Sequence, residues 1–448
     1  MAEPQDTQSC PAGSALPSPA SSRHYRVEHN LWHGRAQLAC FNFFGTVVKD
    51  GLAPFVSVYL VSALGWDPGR AGIVWFARDI SKLIAQAPAG QLVDISEWKR
   101  TLLCVSVVCA TVPAVSIIWW NSFTWMICKA IIEGIASAIL EPAKAAVVLG
   151  IVGPSQFDRA SQVNEMCDHA GTFFCAISAG VVAYFSPDQS YLFIIIGAMG
   201  LLATISILVI PTHVRDANGT MVRTIDDSIA RGSPSKKRDK DFKAKSVCSL
   251  LQNVNIPIFA ACCFFFHLCN AAILPLLSQF IAISGDERAG LPYTAANIAV
   301  AQVSAIFFAW MMGKMIERGN HYHMPVAIGF GSLPIRCGTI LVLIYAWPKP
   351  YALIATQVLD GVGAGVYGLA QITVTRALTQ GTGRYSTTLG LIMASHAAGA
   401  ALSNLIAGYV VHLTSYHAGF VFLGCVGFIP LALLMFLRVP RVQQESGA

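Results

Sequence analysis

Long apolar runs separated by short polar segments recur along the chain from residue 36 to residue 438. Each run reaches about 20 residues, the length that an α-helix needs to cross a bilayer. The runs are continuous and do not alternate with polar residues, which favours helices over the strands of a membrane barrel. The pattern predicts an all-α polytopic membrane protein with twelve transmembrane helices. We number these predicted spans 1 to 12: 36–62, 69–93, 101–120, 123–150, 165–185, 190–211, 253–283, 291–316, 324–347, 351–376, 387–412 and 418–438.

The composition supports this interpretation. Of 448 residues, 54% are hydrophobic and only 12% are charged, whereas soluble chains carry about 25% charged residues. The thirteen cysteines contain no C-x-x-C pair, so neither a disulfide framework nor a zinc site is predicted, and we expect no cofactor. No H-E-x-x-H, G-x-S-x-G or P-loop motif occurs, and we therefore do not expect an enzyme.

The distribution of lysine and arginine predicts the orientation. If the amino terminus is cytoplasmic, the outer segments keep only Arg70, Arg288 and Lys349. The positive-inside rule then places both termini in the cytoplasm, and we expect the plasma membrane or a bacterial inner membrane. This asymmetry explains the net charge of +6 without a nucleic-acid partner. The inner segments hold Arg23, Arg26, Arg35, Lys99, Arg100, Arg159, Lys314, Arg318, Arg384, Arg438, Arg441 and the basic stretch "SPSKKRDKDFKAK".

A polar, basic segment divides the spans into six and six. We predict a disordered cytoplasmic tail at 1–35, an N-terminal six-helix bundle at 36–211 and a basic cytoplasmic linker at 212–250. A C-terminal six-helix bundle at 251–440 and a cytoplasmic tail at 441–448 follow. The first 35 residues lack the apolar region of a signal peptide. The linker could dock anionic lipid or a partner, although a solvated linker is the simpler interpretation, and we expect a monomer.

The two halves align as an internal repeat. Pro54 of span 1 matches Pro275 of span 7, 221 residues later, and Phe43-Phe44 matches Phe264-Phe265. The loop "GQLVDISEWKR" matches "GKMIERGNHY" at 223 residues, "AIIEGIASAIL" matches "QVLDGVGAGVY" at 227, and the glycines of spans 5 and 11 match at 228. The sequence therefore predicts two pseudo-symmetric bundles with a substrate site near the midplane between them, as in many secondary transporters.

These residues resemble the major facilitator superfamily over nearly the whole chain after residue 35. The family's loop signature between spans 2 and 3 is similar to Gly90, Asp94, Lys99 and Arg100, with Ile95 and Ser96 where a basic residue is expected. Stretches such as "LPIRCGTILVL" and "GTGRYSTTLGL" also resemble predicted bacterial facilitators without an assigned substrate. The resemblance implies that the signature holds the outward-facing state. Our gating candidates are Gly90, Asp94, Lys99 and Arg100, with Gly313, Glu317 and Arg318 in the second copy; ordinary loop charge is the alternative.

Charges within the spans are the candidates for proton and substrate binding, because such residues are costly in hydrocarbon and mark transport pathways. In the family that this chain resembles, spans 1, 4, 7 and 10 line a central cavity. Asp50, Glu133, His267, Asn270 and Asp360 lie on those spans. Desolvation favours proton uptake by a carboxylate in a poorly hydrated cavity. Span 2 adds Arg78 and Asp79, and the larger number of charges in the first half predicts that this half handles protons.

Structural pairing is the alternative for several of these charges. Lys129 with Glu133 is an i,i+4 pair, while Asp79 with Lys82 and Glu141 with Lys144 are i,i+3 pairs, which can neutralise themselves along one helix. Asp360 has no charged neighbour within a turn, and Lys49, adjacent to Asp50, points elsewhere on the helix and cannot be its i,i+4 partner. These two acids are the strongest functional candidates. His267 and His396 are isolated in sequence, where a packing role is more common than a relay, and Arg336 pairs across helices or binds an anionic cargo.

We expect a secondary active transporter that moves a small solute by alternating access, coupled to protons. Resemblance to efflux facilitators favours export. The Gly-Pro pair that marks family antiporters is missing from "HAGTFFCAISAG" in span 5, so uptake by proton symport stays an alternative. A non-transporting solute sensor on a transporter fold is the other.

Overall fold

The computed structural model describes residues 34–46, 53–96, 98–152, 157–186, 189–210, 213–215, 221–224, 253–284, 290–317, 323–379 and 385–439. Two candidate site residues, Asp50 and Arg318, lie outside these ranges. So do nearly all of the predicted amino-terminal tail, most of the linker and the predicted carboxy-terminal tail.

The described part of the chain is almost entirely helical, and every predicted span corresponds to helix. Span 1 comprises helix at 34–46, Ala53–Val58 and a π-helical turn at Tyr59–Ala63. The rest of the first half is Pro68–Ile95, Lys99–Val115 with a 3₁₀ turn at Ser116–Ile118, Phe123–Val152, Phe157–Phe185, a 3₁₀ turn at Gln189–Tyr191 and Leu192–Val209. The second half is Asn255–Asn270 and Ile273–Ser284, Gly290–Glu317, His323–Ala346, Pro350–Ala355 and Gln357–Leu378, Tyr385–Leu413, and Tyr416–Val426 with Phe428–Leu434.

Ten helices in the described ranges are long and apolar enough to cross a membrane. They correspond to spans 3 to 12. Span 1 includes residues 47–52, which the structure does not describe, and its later part, Pro54–Ala63, is a shorter apolar helix. Span 2 is an unbroken helix of 28 residues, Pro68–Ile95, but it is richer in charge than the others, with Arg70, Arg78, Asp79, Lys82 and Asp94.

Local signals in the sequence set the start of span 2. Asp67 precedes the helix in an extended conformation, and its side chain accepts a hydrogen bond of 2.9 Å from the backbone nitrogen of Arg70. Pro68 follows at the first helical position, where its missing N–H leaves no intrahelical bond unmade. The predicted linker contains one feature that the sequence did not indicate, an antiparallel pair of short strands, His213–Arg215 and Met221–Thr224.

Glycine contacts show that the two halves are packed in the same way. A methyl group at Gly134 of span 4 would overlap the Arg78 carbonyl oxygen of span 2, and one at Gly361 of span 10 would overlap the Ala301 carbonyl of span 8. These are the positions that the repeat alignment matches.

The pairing of spans 5 and 1 is repeated in spans 11 and 7 in the same manner. A methyl group at Gly171 would overlap the Phe43 carbonyl, and one at Gly399 would overlap the Phe264 carbonyl. The predicted internal repeat is therefore present in three dimensions.

The halves meet along two equivalent seams, spans 5 with 8 and spans 2 with 11. Gly180 of span 5 packs against Ala295 of span 8, and its repeat counterpart Gly408 of span 11 packs against Pro68 of span 2. Each half has a separate apolar core. A third cluster contains residues of both halves, such as Val58 and Ala282, where spans 1 and 7 end and spans 2 and 8 begin. This shared cluster joins the two halves at that end.

We predict that Gly134→Ala and Gly361→Ala each lower the thermal unfolding temperature of the purified protein. The added methyl group would meet backbone atoms that cannot rotate away, and overpacking of this kind costs about 1–3 kcal/mol. Gly338→Ala is the matched control, because open space surrounds that helical glycine. Equal unfolding temperatures for the three variants would contradict the proposed role of these contacts.

Candidate functional site

A fully buried arginine from span 9 organises a polar cluster in the second half. Arg336 is 0% exposed. Its Nη1 donates to Asp360 Oδ1 at 2.5 Å and to Asn270 Oδ1 at 3.0 Å, and its Nη2 donates to Gln357 Oε1 at 2.5 Å. Its Nε has no hydrogen-bond partner in the part of the chain that the structure describes. Spans 7, 9 and 10 are thus joined by one guanidinium group.

This cluster explains how Asp360 is accommodated. The sequence showed no charged neighbour within a turn of it, and the structure supplies one from span 9. Of the two interpretations of Arg336, the arrangement shows the ion pair across helices. A charge-assisted bond in a site with little water is strong, but the desolvation of both ions opposes it.

In the first half, the buried carboxylate is paired with a cation on its own helix. Lys129 Nζ lies 2.6 Å from Glu133 Oε2, and both side chains are largely buried. Glu133 is the repeat counterpart of Asp360, so the buried acid is duplicated whereas its cation comes from a different place. The i,i+4 pairing of Lys129 with Glu133 is observed, as is the i,i+3 pairing of Glu141 with Lys144 at 3.1 Å.

The i,i+3 pairing of Asp79 with Lys82, the structural alternative for these residues, is not among the ion pairs of the described residues. Asp79 Oδ2 instead accepts a hydrogen bond of 3.2 Å from Asn404 Nδ2 of span 11, and its Oδ1 lies 3.8 Å from Arg78 Nη1. Asp79 thus forms a hydrogen bond to the other half of the molecule. Its repeat counterpart, Gln302, also bonds across a seam, since Gln302 Oε1 lies 2.6 Å from His169 Nδ1 of span 5.

Two histidines that are isolated in sequence are neighbours in the structure. The rings of His267 on span 7 and His396 on span 11 stack with their centroids 3.4 Å apart and 21° between their planes. Tyr367 of span 10 packs edge-on to His267 at 4.6 Å and is stacked on Phe266 at 4.6 Å. His267 lies one turn from Asn270 on the same helix, so this aromatic cluster adjoins the Arg336 cluster.

The gating candidates lie at the opposite end from the shared apolar cluster. Arg100 Nη2 donates to the Leu208 carbonyl at the end of span 6 at 2.8 Å, and Lys99 is buried and has interactions of its own. Asp94 and Glu317 lie in helix, with side chains outside the described set. The placement of Arg100 therefore favours a role in holding span 6.

The two signature glycines differ in their surroundings. Gly313 of span 8 packs tightly against Gln162 of span 5, whereas Gly90 of span 2 and Gly390 of span 11, the repeat counterparts of that pair, have open space around them. A methyl group at Gly313 would therefore overlap a side chain of span 5, whereas one at Gly90 or Gly390 would have room.

The structure thus brings together Asn270, Arg336 and Asp360, and separately His267 and His396. Glu133 remains paired on its own helix, and Arg78 lies beside Asp79. Sequence reasoning missed Asn404, His169 and Gln357, since an uncharged polar residue in a span gives no clear signal. Within the described ranges, no group of three or more His, Cys, Asp or Glu residues is arranged to hold a metal ion.

The fold and its paired intramembrane charges define a polytopic membrane transporter. The model of the Major Facilitator Superfamily matches residues 38–337, and the chain belongs to that family. Two uncharacterized MFS-type transporters from strains of Mycobacterium tuberculosis are each 33% identical over 390 residues, covering 87% of this chain and 89% of the relative.

Solved structures of transporters share the fold. Two crystal structures of the nucleoside transporter NupG align with TM-scores of 0.66 and 0.63 at 12% and 14% identity, covering 90% of this chain and 99% and 98% of theirs. A bacterial homologue of the human drug peptide transporters PepT1 and PepT2 aligns with a TM-score of 0.64 at 13% identity, covering 91% and 97%. At such identities the likeness concerns the fold alone.

We predict that Arg336→Met and Asp360→Leu are each strongly destabilising and that the double variant recovers much of the loss. Each single change leaves one buried ion without its partner, which costs about 3–5 kcal/mol, whereas removing both ions together is far less costly. Thermal unfolding of the four proteins forms a double-mutant cycle. Additive losses in the double variant would show that the two side chains contribute independently.

Proposed function

We propose that this membrane transporter moves a small solute by alternating access coupled to protons, with Asp360 and Arg336 as the coupling pair. The observation that carries the proposal is the burial of one ion pair between spans 9 and 10, at the repeat position that Glu133 occupies in span 4. A carboxylate held in the membrane interior by a single cation can change charge when its surroundings change.

The pair offers a physical route from proton binding to conformational change. A proton on Asp360 would neutralise it and leave the Arg336 guanidinium with only the amide oxygens of Asn270 and Gln357. That arrangement is unfavourable in a dry site, so the protonated protein would favour a state in which water or a solute reaches Arg336. Proton and solute then stabilise different states, which is what coupling requires.

Other candidates take supporting roles in this proposal. Glu133, Asp79 and Arg78 would contribute to the proton and substrate path from the first half, and His267 with Asn270 from the second. The role of Asp50 stays a prediction.

An alternating-access cycle would open and close the two ends of the molecule in turn. With the predicted orientation, the shared apolar cluster lies at the outer end and Gly90, Gly313 and Gly390 lie at the cytoplasmic end. Gly90, Asp94, Lys99, Arg100, Gly313, Glu317 and Arg318 form the proposed gate at this end.

Export is the proposed direction, because the sequence resembles efflux facilitators. Uptake by proton symport is the competing proposal, since the Gly-Pro pair of antiporters is missing from span 5. The sign of proton movement relative to solute movement distinguishes the two.

The test is transport by the purified protein in liposomes, using solutes first identified by thermal stabilisation. We predict that Asp360→Asn retains solute counterflow, which needs no net proton movement, but loses accumulation driven by a pH gradient. A ligand at a hundredfold excess over its Kd stabilises the folded state by about 2.7 kcal/mol, enough to detect binding in each variant.

Glu141→Gln is the matched control, because Glu141 pairs with Lys144 outside the cluster and the change should leave gradient-driven accumulation intact. Accumulation unaffected by Asp360→Asn would remove Asp360 from coupling. Binding without counterflow in the wild type would contradict transport and favour a solute sensor.

A further inference from the structure

Span 2 carries a buried lysine without a counter-ion. Lys82 lies near the middle of the helix Pro68–Ile95 and is 9% exposed. Among the described residues, no carboxylate lies within ion-pairing distance of its ammonium group, and no acceptor forms a hydrogen bond with it. The acid nearest in sequence, Asp79, bonds to Asn404 instead.

Other charged residues within the spans have partners, unlike Lys82. Lys129, Lys144 and Arg336 each form an ion pair. Lys99 has interactions of its own, as do Glu165 and Asp168 of span 5. The Lys82 side chain is largely buried, although its Nζ is not among the fully buried side-chain atoms without a partner. Burial is unfavourable for an unpaired charge, and charged residues inside membranes mark substrate or ion pathways.

The repeat shows that the scaffold does not require this lysine. Its counterpart in span 8 is Ala305. The backbone nitrogen of Lys82 lies 3.0 Å from a methyl group built at Gly134, and that of Ala305 lies 2.6 Å from one built at Gly361. The two backbones thus make the same helix contact, with alanine at one position and lysine at the other. The lysine side chain is an addition to a contact that alanine can form.

A second polar group without a partner lies one turn further along the same face. Gln86 is 4% exposed, and its Oε1 has no hydrogen-bond partner in the described part of the chain. Residues four apart are neighbours on a helix surface. Lys82 and Gln86 together present a positive charge and a free acceptor near the middle of the membrane, the depth at which transporters of this construction bind substrate.

We propose that Lys82 binds the acidic group of the transported solute, which is a small organic anion carrying a hydrogen-bond donor for Gln86. This inference rests on the proposed transport function and names its substrate class. A carboxylate supplies the charge that Lys82 lacks, and a hydroxyl or amino group of the solute satisfies Gln86. A neutral isostere of the solute would leave the ammonium group unpaired and bind poorly, since sites built for a polar group reject analogues without it.

The experiment measures binding by thermal stabilisation of the full-length protein with small hydroxy- and amino-carboxylates, each paired with its primary amide as a neutral probe. We expect at least one carboxylate to stabilise the wild type while its amide does not. Lys82→Met should weaken that carboxylate's affinity by at least about tenfold, and Lys82→Arg should retain part of it. Lys144→Met, which removes a paired lysine, should leave the affinity unchanged.

A measurement without ligand tests the same idea independently. Lys82→Met should raise the unfolding temperature of the unliganded protein, because it replaces an unpaired buried charge with an apolar side chain of similar length. A lower unfolding temperature, or failure to fold, would show that Lys82 has a structural partner and would overturn the inference. Equal stabilisation by carboxylates and amides would overturn it as well.

These outcomes separate the inference from the proposed function. If a neutral solute binds and exchanges across liposomes, transport stands and the anionic substrate class is wrong. If a carboxylate binds through Lys82 but drives no flux, the substrate class stands and transport is wrong.

Discussion

The need to neutralise charge away from water constrains this protein more than any other single requirement. A buried ion in a membrane must be compensated by the protein itself, because the desolvation of each ion is costly. Arg336 meets this need by reaching Asn270, Gln357 and Asp360, and in doing so it joins three helices that are far apart in sequence. In the first half, Lys129 neutralises Glu133 on the same helix. Both arrangements place a carboxylate at the same repeat position.

Symmetric packing gives these charges their framework. Close contacts between backbones at Gly134 and Gly361 hold span 4 on span 2 and span 10 on span 8. Small residues allow two helix backbones to approach closely. Such close packing holds helices together in a membrane, because lipid is as apolar as the protein interior and the hydrophobic effect does not drive their association. Because the backbones match, differences between the halves stand out as additions to a common scaffold. The stacked histidines, the cross-helix ion pair and Lys82 are all of this kind.

Membership of the Major Facilitator Superfamily accounts for the fold, while the substrate has to be argued from the site. The structural neighbours with nucleoside or peptide transporter in their names share about one residue in eight with this chain, which is too few to carry a binding site. The charges are more informative. Lys129, Lys144 and Arg336 are balanced by carboxylates, whereas Lys82 has no such partner among the described residues, and that difference is the basis for proposing an anionic solute.

The sequence by itself determined the helical spans, the duplication and the family, because apolar length and the pairing of backbone groups along a helix are local properties. It also placed Glu133 and Asp360 at matching positions. Only the tertiary structure decided the partners. Arg336 for Asp360, His396 for His267 and Asn404 for Asp79 come from other helices, and helical spacing carries no information about contacts between helices. For the same reason helical spacing offered Lys82 as a partner for Asp79 but gave no indication of its hydrogen bond to Asn404 of span 11.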